Sequence, residues 1–89
     1  MAYSVHLAPA AERQLKATDK PTQQRIVRRL RKLQGNPRPH GIEKLSGSED
    51  FYRIREGDYR IIYTIKGKEL IVLVVKIGHR KDVYRGRLE

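Results

Sequence analysis

The stretch Phe51-Tyr52-Arg53-Ile54-Arg55-Glu56-Gly57-Asp58-Tyr59-Arg60-Ile61-Ile62-Tyr63-Thr64-Ile65 decides the fold. Two runs rich in β-branched and aromatic residues flank Gly57-Asp58, a pair suited to a tight hairpin turn, so strands are predicted over 51–55 and 59–65. Residues two apart on a strand share a face, which sends Phe51, Arg53 and Arg55 one way and Tyr52 and Ile54 the other. Neighbouring guanidiniums repel each other. A strand that carries two of them, beside a strand carrying Arg60, is suited to receive a multiply charged anion, phosphate above all.

Toward the C-terminus, Lys66-Gly67-Lys68 makes a second hairpin, and 70–75 is apolar on both faces. That run predicts a strand in the middle of the sheet, covered by helices on at least one side. Gly78-His79-Arg80-Lys81-Asp82-Val83-Tyr84 follows at its exit and sends a His-Arg-Lys cluster toward the same region.

Toward the N-terminus, 36–41 reads as a loop, Ile42 and Leu45 bound a short irregular or edge segment, and Ser46-Gly47-Ser48 punctuates the chain. Before the loop, a helix is predicted from Asp19-Lys20-Pro21 to about Gln34, with Asp or Thr as cap and Pro in the first turn. Its apolar stripe is Ile26, Val27, Leu30 and Leu33; Arg25, Arg28, Arg29, Arg31 and Lys32 take the other faces. A shorter helix starts at Pro9, with Ala8, Ala11 and Leu15 at spacings of three and four. Tyr3, Val5 and Leu7 alternate with polar residues, as a half-buried strand does. The class is α+β in a single domain spanning 1–89: an N-terminal strand, two helices, then an antiparallel meander of three to four strands.

Twenty Lys and Arg against ten Asp and Glu leave a formal charge of +10 on 89 residues. This is the electrostatic footprint of a nucleic-acid binder, and a repulsive burden on so small a fold. A basic surface kept for solubility is the plainer alternative, and the uneven placement of the charge counts against it. There is no cysteine, hence no disulfide frame or thiolate metal site, which fits a reducing cytosol. No apolar run approaches about 18 residues and no signal-peptide core is present, so a cytoplasmic protein that meets no membrane is expected. Leu88-Glu89 fit a native terminus and an appended one equally well.

RNA carries its own nucleophile, the 2′-OH, beside every phosphodiester. Cleaving it requires an in-line 2′-oxygen, neutralisation of the phosphorane and two proton transfers. Arginine serves the second need through its fork of donors and its permanent charge. His and Tyr are candidates for the third, and Tyr can also stack on an unpaired base. No metal, nucleotide-loop or Ser/His/Asp signature occurs, so no metal or cofactor is expected.

Tyr52-Arg53-Ile54-Arg55, then Gly57-Asp58-Tyr59-Arg60-Ile61-Ile62-Tyr63, then Gly78-His79-Arg80-Lys81-Asp82-Val83-Tyr84 closely resemble the bacterial and archaeal RelE toxins of the RelE/ParE superfamily. The resemblance spans about residues 3 to 85 and implies the RelE-like fold. It also implies a ribosome-dependent mRNA interferase that cuts codons in the A site, inhibits translation and is held inactive by a RelB-type antitoxin. On this resemblance, Arg53 and Arg55 replace a pair of strand lysines that act in phosphate stabilisation and proton handling. Arg60 and Arg80 match arginines at the scissile phosphate, and Tyr84 matches a C-terminal Tyr that stacks and orients.

Arg in place of both lysines removes the tunable ammonium. Either catalysis is mostly electrostatic, or His79 supplies the base. Lys81, Arg28, Arg31 and Lys32 are candidate contacts to mRNA and ribosomal RNA. The plainer readings stay open: Arg53 and Arg55 neutralised by Glu43, Glu49 or Asp50, Arg60 paired with Asp82 or Glu56, His79 a surface residue, Tyr84 a packing residue. Tyr52, Tyr59 and Tyr63 read as core. Within the superfamily the rival is a ParE-like inhibitor of DNA gyrase that is not a nuclease; a catalytically dead RNA-binding module is a third reading.

Overall fold

The computed structural model describes residues 2–45 and 50–81. The elements run β1 (Ser4–Leu7), α1 (Pro9–Lys16), α2 (Lys20–Gly35), β2 (Glu43–Lys44), β3 (Phe51–Glu56), β4 (Tyr59–Lys66) and β5 (Ile71–His79). Five strands form one sheet in the order β1-β5-β4-β3-β2. β1 is parallel to β5, and the other pairs are antiparallel. The α+β expectation of a strand, two helices and a meander therefore holds, with β5 between β1 and β4 as its two-sided apolarity predicts. The segment over 42–45 is the short edge strand β2.

Local chemistry explains the elements. Pro occupies the first turn of both helices, where its missing N–H leaves no bond unmade. Asp19 stands at the N-cap of α2, but its side chain makes no capping bond to a helix N–H. Thr22, Ile26, Leu30 and Leu33 are the buried stripe of α2, whereas Val27 lies at the edge of that stripe and is only half buried. At the β3–β4 turn, Gly57 takes a φ of 60°, a conformation that a hairpin turn demands and that glycine adopts without a Cβ clash.

Both helices cover one face of the sheet, α1 against β5 and α2 against β1 and β3. Tyr52 and Ile54 of β3, Ile61, Tyr63 and Ile65 of β4, and Val72, Val74 and Ile77 of β5 meet Ala11, Ile26, Leu30 and Leu33 there. Burying each large side chain of this set contributes about 1.5–3 kcal/mol. The tyrosines read as core are core: Tyr63 is fully buried, Tyr52 nearly so, and Tyr59 packs against the cluster.

Gly78 and His79 lie within β5 rather than beyond its end, because β4 keeps pairing as far as Tyr59 opposite His79. A β-bulge makes this extension possible. Ile62 pairs with Lys76 while Tyr63 pairs with Val74, leaving Val75 as the extra residue. Strict alternation from buried Val72 and Val74 would turn Lys76 toward the helices and Ile77 away. The bulge reverses the phase: Ile77 is buried, and Lys76 and Gly78 join the face that the helices leave open. β1 stops pairing at Val74, and α1 satisfies the strand beyond it, since the Ile77 N–H donates to Gln14 Oε1 at 2.7 Å.

Candidate functional site

The open face of the sheet is cationic where β3, β4 and β5 meet the Gly57-Asp58 turn. Register builds it in two rows. The first runs Glu43, Arg53, Ile62, Lys76 across four strands, and the second runs Arg55, Arg60, Gly78 across three. Arg55 and Arg60 stand directly opposite each other, an arrangement that destabilises a sheet unless an anion or hydrogen bonds offset it.

Arg60 is 8% exposed, and its Nη1 donates to the carbonyls of Gly57 at 3.2 Å and Tyr59 at 3.1 Å. Those bonds hold the guanidinium over the turn. Arg53 is oriented from the other side, by Glu43 Oε1, which accepts from its Nη2 at 2.8 Å and its Nε at 3.2 Å. The plainer reading of Arg53 as a residue neutralised by Glu43 is thus realised in part. Arg55 is exposed and makes no hydrogen bond or ion pair among the described residues. Together with Gly41, Glu43 and Ile54, these three arginines line a cleft of about 200 Å³. Small-molecule pockets run from about 300 Å³ upward, so the cleft suits one phosphodiester rather than an enclosed nucleotide.

The loop that delivers Gly41 and Glu43 is tied to the core. Tyr63 Oη donates to the Pro37 carbonyl at 2.8 Å, the Tyr52 and Tyr63 rings lie 5.8 Å apart, and the Arg38 guanidinium sits 5.8 Å from the Tyr52 ring centre. Burial pushes the Tyr63 phenol up to about 12.

The turn also anchors the end of β5. The Arg80 N–H donates to the Asp58 carbonyl at 2.7 Å, which brings Arg80 to the end of the sheet where Arg55 and Arg60 lie. His79 is placed differently. It pairs with Tyr59, on the side of the sheet that carries Ile61 and Ile77, and its ring meets the Tyr59 ring edge-on at 5.7 Å. Its Nδ1 accepts the Lys81 N–H at 3.3 Å. The fold therefore groups Arg53, Arg55 and Arg60, brings Arg80 to their end, and leaves His79 on the opposite side of β5.

Arg28 and Arg31 line a shallow depression on α2 with Gln23, Gln24 and Val27, and Lys32 is exposed on the same helix. This surface belongs to the helical layer, away from the cleft. Tyr84, Asp82 and Glu49 lie outside the described residues. Lys76 is the group that strand alternation overlooks; its signal was a lone lysine in an apolar strand, at a position alternation would bury. Among the described residues, no group of three or more His, Cys, Asp or Glu stands where it could hold a metal ion, and no helix is long and apolar enough to cross a membrane.

Fold and site define a small basic α+β protein with an arginine-lined cleft on an open sheet face. The family of the ParE toxin of the type II toxin-antitoxin system parDE matches residues 5–84. A putative RelE-like toxin protein of Escherichia coli is 34% identical over 88 residues, covering 94% of this chain and 92% of that one. Among solved structures, a chain of the archaeal RelE–RelB complex from Pyrococcus horikoshii OT3 is similar with a TM-score of 0.79 at 29% identity, over 90% of this chain and 97% of that one. The free E. coli toxin RelE, in a mutant form, shares the fold with a TM-score of 0.80 at 22% identity, over 94% and 90% of the two chains. The chain belongs to the RelE/ParE family of type II toxins, as a RelE-like toxin.

Proposed function

We propose that this toxin is a ribosome-dependent endoribonuclease that cuts mRNA in the A site by attack of the 2′-OH, without a metal ion, and so inhibits translation. The observation that carries the reading is the cleft in which Arg53, Arg55 and Arg60 converge on a space of phosphodiester size, with Arg80 anchored at the same end. In the reaction the 2′-oxygen bonds to phosphorus and gives up its proton, and the 5′-oxygen leaves and takes one. The products are a 2′,3′-cyclic phosphate and a 5′-OH. Arginines poised where the phosphorane gains charge stabilise it with little reorganisation, a type of contribution worth about 10²–10³ in rate per donor. Acid and base groups are sparse, so the ribosome serves to hold the mRNA in line and supply the effective molarity. Tyr84 is assigned to stacking, and Lys81, Arg28, Arg31 and Lys32 to contacts with RNA phosphates; His79 lies across β5 from the cleft, so catalysis is mostly electrostatic.

A protein that acts on translating ribosomes works in the cytoplasm. Solved complexes of related toxins contain RelB, and a surface of +10 would steer an acidic RelB-type antitoxin onto this chain. The matched family bears the name of ParE, which keeps gyrase inhibition as the second reading. Phosphate chemistry needs a convergent arginine set, whereas a protein-binding inhibitor does not.

The test maps 5′ ends on a reporter mRNA in a translating extract and on the same RNA without ribosomes. Cuts confined to ribosome-bound codons, and abolished by a 2′-deoxy nucleotide at the cut, are the expected result. Normal cleavage of the deoxy substrate, or efficient cutting of naked RNA, would overturn the mechanism; loss of gyrase supercoiling without RNA cleavage would establish the rival.

A further inference from the structure

Lys76 shares the open face with the arginine cleft only because of the bulge at Val75. It pairs directly with Ile62, and Arg60 is its diagonal neighbour, a relation that sets Cα atoms about 7–8 Å apart. Gly78, the partner of Arg60, lies two residues further along β5, roughly 7 Å. Lys76 thus stands one strand repeat from the row of Arg55 and Arg60, toward the middle of the sheet. Across Ile62 it faces Arg53, two strand spacings or about 10 Å away.

Lys76 is half buried and makes no hydrogen bond or ion pair among the described residues. Glu43, the carboxylate of its row, is engaged by Arg53. A lysine kept only for solubility would be better hydrated and less repelled at a strand end. This one is set beside three guanidiniums by an irregularity that interrupts the ladder, and bulges commonly re-aim a side chain next to a site.

Resting on the RNA reading above, we infer that Lys76 is a further phosphate-contacting cation, which binds the RNA phosphate next to the one held by Arg55 and Arg60. The backbone of the bound strand then runs from the Gly57-Asp58 turn up β5, and Lys76 restores to this face an ammonium that Arg53 and Arg55 do not provide.

The experiment titrates the full 89-residue chain with a short single-stranded RNA carrying a 2′-deoxy nucleotide at its centre, at several salt concentrations. It compares the unaltered protein with Lys76→Met, Lys76→Arg, Arg55→Gln and, as a charge control on α1, Lys16→Met. Amide spectra of each variant establish that the fold is kept. Removing one cation that neutralises a phosphate of a single strand lowers the slope of log K against log salt by about 0.7. Lys76→Met is expected to show that decrease, Lys76→Arg to keep the full slope and Lys16→Met to show no change. An unchanged slope in Lys76→Met while Arg55→Gln shows the decrease would overturn the role of Lys76 and leave the RNA reading standing. An equal decrease in Lys16→Met would overturn the specific contact in favour of bulk charge. Absence of RNA binding by the unaltered chain would overturn the Lys76 contact, while the ribosome-dependent reading is decided separately by the cleavage map.

Discussion

Glu43→Gln should tighten anion binding and barely change stability. The Glu43 carboxylate is 64% exposed and lies 2.8 Å from an Arg53 side chain that is 18% exposed. An ion pair this open contributes at most about 1 kcal/mol. Its effect on a bound phosphate is larger relative to that figure. A phosphate on the side of the Arg53 guanidinium turned away from Glu43 would sit about 5 Å from the carboxylate, where like charges repel by about 0.8 kcal/mol at the dielectric of water and about 1.7 kcal/mol at half that value. Removing the charge predicts roughly fourfold to seventeenfold tighter binding, shrinking as salt rises because the Debye length is about 10 Å at 0.1 M. Calorimetric titration with the uncleavable RNA measures the gain, and thermal unfolding measures the cost, which should stay below about 8 °C in Tm. Unchanged or weaker binding together with a larger drop in Tm would refute the reasoning, and would mean that Glu43 holds the loop in place rather than guarding the cleft.

Tyr63→Phe removes the donor to the Pro37 carbonyl in the core and should destabilise the fold by about 1–3 kcal/mol in chemical denaturation. In the unaltered protein the phenol is raised from 10.0 to about 12, so its neutral form stabilises the fold fully below about pH 10, and this contribution is lost as pH rises through about 12; the difference in unfolding free energy between the two proteins should shrink over that window. Arg80→Ala should slow single-turnover cleavage by about 10² or more with little change in ribosome affinity, and Lys should rescue it only partly because it lacks the fork; an equal loss in affinity would place Arg80 in docking. His79→Ala should cost less than tenfold in the same assay, since its ring packs edge-on against Tyr59 on the helix side of β5. A decrease of about 10² would instead make it the general base.

Much of this protein was legible locally. The Gly57-Asp58 hairpin, the two-faced β3, the buried stripe of α2 and the central placement of β5 follow from side-chain period and turn chemistry, which neighbouring residues impose without help from the rest of the chain. The pairing of Arg53 and Arg55 on one face follows equally, because two residues on a strand are always a full pleat apart. The resemblance in the motifs added the family and the assignment of Tyr84, a residue outside those the structure describes.

What the tertiary structure decided is the phase and the partners. Alternation along β5 would have buried Lys76 and exposed Ile77, and only pairing with β4, together with the Gln14 bond that satisfies the Ile77 N–H, allows the bulge that exchanges them. The Glu43–Arg53 pair joins residues ten apart in the chain through the β2–β3 register, and Arg80 reaches the cleft end through a backbone bond to Asp58. His79 reads in sequence as a neighbour of Arg80 and is turned by the pleat to the other side of the sheet. Each of these depends on contacts between segments far apart in sequence, whose register is set by the shared core rather than by the residues on either side of them.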